Sequence, residues 1–178
     1  MLEYPEIKTI AAQAGDLLQR KEIQAAKFLT PEKKFVFSSN SPQEFSERLE
    51  GQSVHSCSSC GNHLFIVMKS GAALNIGDTG GKILYHSDIT TMPKKHDIRI
   101  DFSDGTTLTH SVVMWGFFGA QTQSEMDASI QRIKDEAREP VRGQVTLKHF
   151  LAFLASLASP PFLEDGNPSF LVLLPHLE

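Results

Sequence analysis

A chain of 178 residues with 40% hydrophobic content can bury one packed core and at most a partial second domain. No apolar run reaches the ~20 residues of a membrane span and no signal peptide is visible, so a cytoplasmic location without a membrane partner is expected. The formal net charge of −4 is not that of a dedicated polyanion binder, which needs clustered Lys and Arg, although a local basic patch is compatible with it.

In chain order, Met1-Leu2-Glu3-Tyr4-Pro5-Glu6 places a chain amine, two carboxylates and a helix start in one short stretch. Pro5 suits the first turn of a helix, where its missing N–H would have no partner. Ile7, Ile10, Ala11, Ala14, Leu17 and Leu18 then recur at helical spacing. Glu3 and Glu6 fall at the positive end of that helix dipole, and ordinary capping accounts for them on composition alone.

Residues 22–29 and 33–37 read as strands on either side of Thr30-Pro31. Ser41-Pro42-Gln43-Glu44 is a capping box opening a helix to about residue 50, and Gly51 stops it. A β-rich stretch follows, with strands at 53–56, 63–69, 72–76, 83–86 and 96–102 and a loop at 77–81. In the 96–102 strand His96, Ile98, Ile100 and Phe102 share one face, and Asp97, Arg99 and Asp101 the other. Asp104-Gly105 is a hairpin turn that brings residues 106–113 back. Strands joined by tight turns predict an antiparallel sandwich or barrel.

Composition changes after Ala120. Residues 121–124 read as a polar connection, 126–138 as a helix and 139–144 as a linker. Residues 146–158 are apolar on most faces and need a partner surface, Ser159-Pro160-Pro161 breaks the pattern, and 170–174 is a last apolar run.

Cys57 and Cys60 are too few for a disulfide framework. With His55 and His63 they put four possible zinc ligands within nine residues. Structural zinc takes ligands from two separated pairs, so this compact cluster reads as strand residues and no metal site is assigned.

Three segments carry a resemblance. The first six residues resemble an opening Met-Pro-Glu-Leu-Pro-Glu. The segment 93–105, Pro-Lys-Lys-His-Asp-Ile-Arg-Ile-Asp-Phe-Ser-Asp-Gly, resembles a Lys-His-Asp strand with its Asp-Gly turn, and Phe118-Gly119-Ala120 resembles the end of Arg-Arg-Phe-Gly-Ala. In this order they resemble the formamidopyrimidine-DNA glycosylase/endonuclease VIII family. The resemblance implies an α+β chain: an antiparallel two-layer β-sandwich with an N-terminal helix over 1–122, then a helical tail over 123–178. That tail would be a partial or degenerate helix–two-turns–helix domain, in which Asn167 of Asp165-Gly166-Asn167 contacts a phosphate. The family's C-terminal zinc ribbon has no counterpart here, so no cofactor is expected; whether the natural protein continues past Glu178 is left open.

In the resembling enzymes an N-terminal Pro amine attacks the sugar C1′ to form a Schiff base, a carboxylate assists ring opening, and a strand Lys holds phosphate. An α-amine titrates near ~8, so part of it is neutral and nucleophilic at pH 7. By that resemblance the catalytic candidates are Glu3, Glu6 and the Met1 amine, and the DNA-binding candidates are Asn62, Asn75, Lys95, His96, Phe118 and Asn167. Several positions depart from the family. Leu2 stands at the nucleophilic Pro, Asn62 at the strand Lys, Asp78 at the Met that fills the gap left by a flipped base, and Gly116-Phe117 at the Arg pair, with Phe118 at the wedge. The expected function is a divergent base-excision-repair glycosylase/AP-lyase homologue that acts on or recognises damaged double-stranded DNA. The alternatives are a non-catalytic DNA- or protein-binding relative, or a metal module built on His55, Cys57, Cys60 and His63. Lesion choice, oligomeric state and protein partners are not legible.

Overall fold

The computed structural model describes residues 3–29, 36–77, 79–113 and 115–137. Expectations resting on Met1, Leu2, Asp78 and Asn167, on most of the 33–37 strand and on everything from 138 onward therefore lie outside the described residues.

The chain begins with α1 (Tyr4–Leu18), β1 (Ile23–Phe28), β2 (Val36–Ser38) and α2 (Pro42–Leu49). Six strands follow in succession, β3 (Val54–Cys60), β4 (His63–Met68), β5 (Ala73–Gly77), β6 (Lys82–His86), β7 (Ile98–Phe102) and β8 (Thr107–Ser111). They are completed by β9 (Gly116–Gln121) and α3 (Gln123–Ala137). The strands form two sheets, one ordered β1-β7-β8-β6 and one ordered β2-β9-β5-β4-β3. Every pairing is antiparallel except β2 with β9.

Both predicted helix starts are built as their residues dictate. The Glu6 carboxylate accepts from the Glu3 N–H at 2.8 Å, and Pro5 sits in the first turn. Ser41 Oγ accepts from the Glu44 N–H at 3.2 Å while Glu44 accepts from the Ser41 N–H at 2.9 Å. Ile7, Ala11, Ala14 and Leu18 give α1 one buried stripe, which joins the core between the sheets. Phe45 and Leu49 do the same for α2, and Gly51 ends it at φ +74°, where only glycine sits without strain. α1 packs on β3 and β4, and α2 on β1 and β9, so each helix covers an open side of the sandwich.

The core between the sheets holds Leu64, Ile66 and Met68 of β4, Leu74 and Ile76 of β5, and Ile98, Ile100 and Phe102 of β7. At its centre Phe118 meets Phe28 and Phe45 edge-on, with centroids 4.7 and 6.0 Å away. The other face of the five-stranded sheet is covered by α3, whose Met126 and Ile133 pack on Cys60, Phe65 and Ala73.

Three expectations change. β3 runs on to Cys60 rather than stopping at 56, because β4 pairs along its whole length, Cys60 opposite His63. Residues 116–121 form a strand, β9, between β2 and β5 of the larger sheet, rather than a motif followed by a polar connection. Its two glycines and closing Gln121 hide the alternation that marks a strand. Asp97, on the face opposite Ile98, Ile100 and Phe102 as read, is fully buried, and its carboxylate accepts from the Val112 N–H at 2.7 Å. The helix expected at 126–138 starts at Gln123 and lies in the same compact unit as the sandwich, Met1–Arg138.

Candidate nucleic-acid interface

Strand directions fix what meets at one end of the sandwich. β3 ends and β4 begins at the Gly61-Asn62 turn. β5 ends at Gly77 beside Phe117 of β9. In the other sheet, β6 begins at Lys82 opposite Ser111, the last residue of β8. The connections from β5 to β6 and from β8 to β9 pass from one sheet to the other here, and the Gly80 N–H donates to the Trp115 carbonyl at 3.3 Å. We call this the upper end. Arg20, just past α1, donates its N–H to Val54 at the lower end of β3. Since α1 is packed along β3 and β4, its N-terminus and Glu3 lie towards the upper end.

Lys95 and His96 also belong there. The Lys95 carbonyl accepts from Ser111 Oγ at 3.1 Å, and the His96 Nδ1–H donates to the Pro93 carbonyl at 3.0 Å. The Lys95 side chain is exposed and His96 is half-buried. Lys82 and Lys94, which the sequence did not single out, are exposed at the same end. Their signal was weak, since a lysine at a strand start usually means a solvated edge. Asn62 is half-buried in the turn, and Glu3 and Glu6 are exposed.

Phe118 and Asn75 are placed differently from expectation. Phe118 has no exposed surface and stands in the aromatic core, so no DNA contact is available to its side chain in this conformation. Asn75, also fully buried, lies on the opposite face of the sheet, towards α3. There its Oδ1 accepts from His63 Nδ1 at 2.9 Å and its Nδ2 donates to Gln121 Oε1 at 3.4 Å. Gln121 in turn donates to Ser129 Oγ of α3 at 2.8 Å. This chain of partners satisfies buried amides that would otherwise be costly, and it ties α3 to the sheet. Gly77 leaves the room it needs, for a Cβ there would lie 2.0 Å from His63 Nδ1.

The four zinc-type side chains do not converge. Cys57 faces the core between the sheets and Cys60 faces α3, on opposite sides of β3. Burial pushes the Cys57 thiol up to about 11, which keeps it protonated rather than ready as a metal ligand. Among the described residues no three His, Cys, Asp or Glu side chains are grouped to hold a metal. No helix of the described residues is long and apolar enough to cross a membrane.

A two-sheet sandwich carrying an N-terminal helix is the fold of a known family. The family model described as formamidopyrimidine-DNA glycosylase N-terminal domain matches residues 1–111. The chain belongs to that family. Among solved structures, the fold is similar to MutM in complex with DNA containing carbocyclic 8-oxo-G, at 16% identity and a TM-score of 0.63, covering 73% of this chain and 48% of that one. It is similar to the same extent to the Lactococcus lactis glycosylase bound non-covalently to DNA with an abasic site, again 16% identical with a TM-score of 0.63, over 73% and 48% of the two chains. The Lactococcus lactis enzyme with FAPY-dG DNA gives 17% identity and a TM-score of 0.62, over 73% and 48%. The chain thus spans about half the length of these structures. No curated protein matches it in sequence.

Proposed function

We propose that the chain recognises damaged double-stranded DNA through the upper end of its sandwich. The observation that carries this reading is that three exposed lysines, Lys82, Lys94 and Lys95, fall at this end of the sandwich, where the Asn62 turn also lies. A local group of cations neutralises phosphates even in a chain whose net charge is −4, because counterion release depends on the contacted surface and not on the total. The three solved structures named above are bound to lesion or abasic DNA, which supports DNA as the partner class. The test is fluorescence anisotropy with a duplex carrying an abasic analogue and with the intact duplex. Preferential binding of the first, weakened in a Lys82→Glu/Lys94→Glu/Lys95→Glu variant, supports recognition. Equal affinity for the two duplexes, or no binding by folded protein, contradicts it.

A second reading, covalent lyase chemistry, is favoured by one observation: the Glu3 carboxylate is exposed at the start of α1. Leu2 and Asn62 replace the family's nucleophile and strand Lys, so this reading requires the Met1 amine to attack an open sugar aldehyde with Glu3 moving the proton. Borohydride reduces such a Schiff base to a stable adduct. An adduct that disappears when the N-terminus is blocked, and falls in Glu3→Gln, supports it. No adduct from protein that still binds the duplex rejects it and leaves recognition alone.

A further inference from the structure

β6 ends at His86, opposite Thr107 at the lower end of its sheet, while β7 begins at Ile98, opposite His110 at the upper end. The connection 87–97 therefore runs back along the smaller sheet as a strap, and its last part brings Lys94, Lys95 and His96 to the upper end. It lies on the outer face, where Ile89 of its 3₁₀ turn (Ile89–Thr91) borders the same cleft as Arg99, Asp101 and Thr107. Asp88 caps that turn, its carboxylate accepting from the Thr90 N–H at 2.8 Å. At the upper end Ser111 Oγ holds the Lys95 carbonyl, and the Asp97 N–H donates to the His110 carbonyl at 2.8 Å. At the lower end the strap is held by His86.

The partners of His86 fix its protonation state. Thr91 Oγ gives its hydrogen to the Asp88 carbonyl at 2.7 Å, so in its 3.0 Å contact with His86 Nδ1 it accepts, and the ring carries its proton on Nδ1. Nε2 is then free to accept from Thr109 Oγ of β8 at 2.9 Å. One uncharged ring ties the strap to the sheet, and a second proton would remove the lone pair that Thr109 bonds. The ring is 5% exposed. Burial, and after it the nearby His96, holds it below the ordinary histidine value. The other charged groups on the elements around it are Lys82 of β6, Asp88, engaged by Thr90, Lys94 and Lys95 of the strap, and the Arg99–Asp101 pair of β7 at 2.8 Å.

We infer that His86, as an uncharged ring, is the positioning residue that sets the strap and so places Lys94 and Lys95 at the DNA-recognition end. This rests on the recognition reading above and deepens it. A strap held in advance presents two cations without further ordering, whereas a released one must be ordered at the moment of binding. Histidine protonation ordinarily strengthens binding to a polyanion. Here a second proton on His86 favours the released strap, so affinity falls as pH drops below about 6.5, the ordinary histidine value.

The test is fluorescence anisotropy of the full chain with the abasic-analogue duplex at constant salt from pH 8 to 5.5, together with amide hydrogen exchange at pH 7. His86→Leu removes both bonds, and Thr91→Val removes the strap's side of the clasp at an exposed position. Each should weaken binding at pH 7 by roughly 5- to 100-fold, the cost of ordering two long side chains on binding. Each should also speed exchange of the Thr91 and Met92 amides while circular dichroism matches the parent. His86→Gln offers one N–H and one carbonyl but does not titrate, so it should recover part of the affinity at pH 7 and lose the parent's decline in acid. Parent-like binding and exchange in Thr91→Val and His86→Leu overturn the inference and leave the DNA reading standing. Affinity that rises in acid alike for the parent and His86→Gln does the same. Absence of duplex binding by the folded parent overturns both.

Discussion

At the scale of single residues, Phe118 decides how the middle of the molecule is read. Its ring is edge-on to Phe28, Phe45 and His110, with no surface left for a partner. Phe118→Ala should therefore cost about 3–5 kcal/mol of stability through lost transfer energy and a cavity, measured by urea unfolding. A variant that keeps its stability but loses DNA binding would restore Phe118 as a surface wedge. Asp104 illustrates a milder effect. Hydrogen bonds from Lys21 and then from Thr106 hold its carboxyl down at about 2. A carboxylate depressed in the folded state stabilises above its unfolded value near ~3.9 and loses that contribution as pH falls towards the folded value. Asp104 is 45% exposed, so solvent screening limits the pair to less than about 1 kcal/mol. Asp104→Asn should be slightly less stable than the parent at pH 7, and the gap should narrow as unfolding is repeated at lower pH. A gap that widens in acid would show the opposite sign. Residue identity alone could not separate Phe118 from a surface aromatic, because core and wedge both ask for a large apolar ring. Nor could it show that Asp97, in an alternating strand, is buried and holds the Val112 N–H.

At the scale of elements, local chemistry was legible wherever it is self-contained. Pro5 with Glu6, and Ser41-Pro42 with Glu44, specify two helix starts from four residues each, and both are present. β9 was not legible as a strand because its support is non-local: it lies between β2 and β5, from residues far apart in the chain. α3 was legible as a helix, but its docking was not, because it depends on a turn distant in the chain. Gly61 has φ +55°, and a Cβ there would stand 2.8 Å from Ile133 Cγ2 of α3. Gly61→Ala combines backbone strain with this contact and should destabilise by about 1–3 kcal/mol in thermal or urea unfolding. Adding Ile133→Ala should relieve the steric part, so the double variant should be more stable than the sum of the single effects requires. Strict additivity would mean that α3 does not bear on the turn.

For the molecule as a whole, the order of three weak motifs carried the family and the sandwich, because each marks a place on the same fold: a helix start, a strand with its turn, and an inner strand. What the sequence did not reveal is that the lysines at 82, 94 and 95 share one end with the Asn62 turn, since only strand direction brings them together. A chain with net charge −4 that binds DNA must do so through such a local group. Its affinity should fall with salt at a slope of about −0.9 per neutralised phosphate, hence about −3 if the three lysines each meet one. A slope near zero with binding intact would point to a contact that is not electrostatic.

The most direct measurement is the affinity of the full chain for an abasic-analogue duplex against the intact duplex across a salt series, with and without charge reversal at Lys82, Lys94 and Lys95. The upper-end account predicts preference for the interrupted duplex, a slope near −3, and loss of most of that slope in the reversed variant. Binding that ignores the lesion, or that survives charge reversal unchanged, would contradict it.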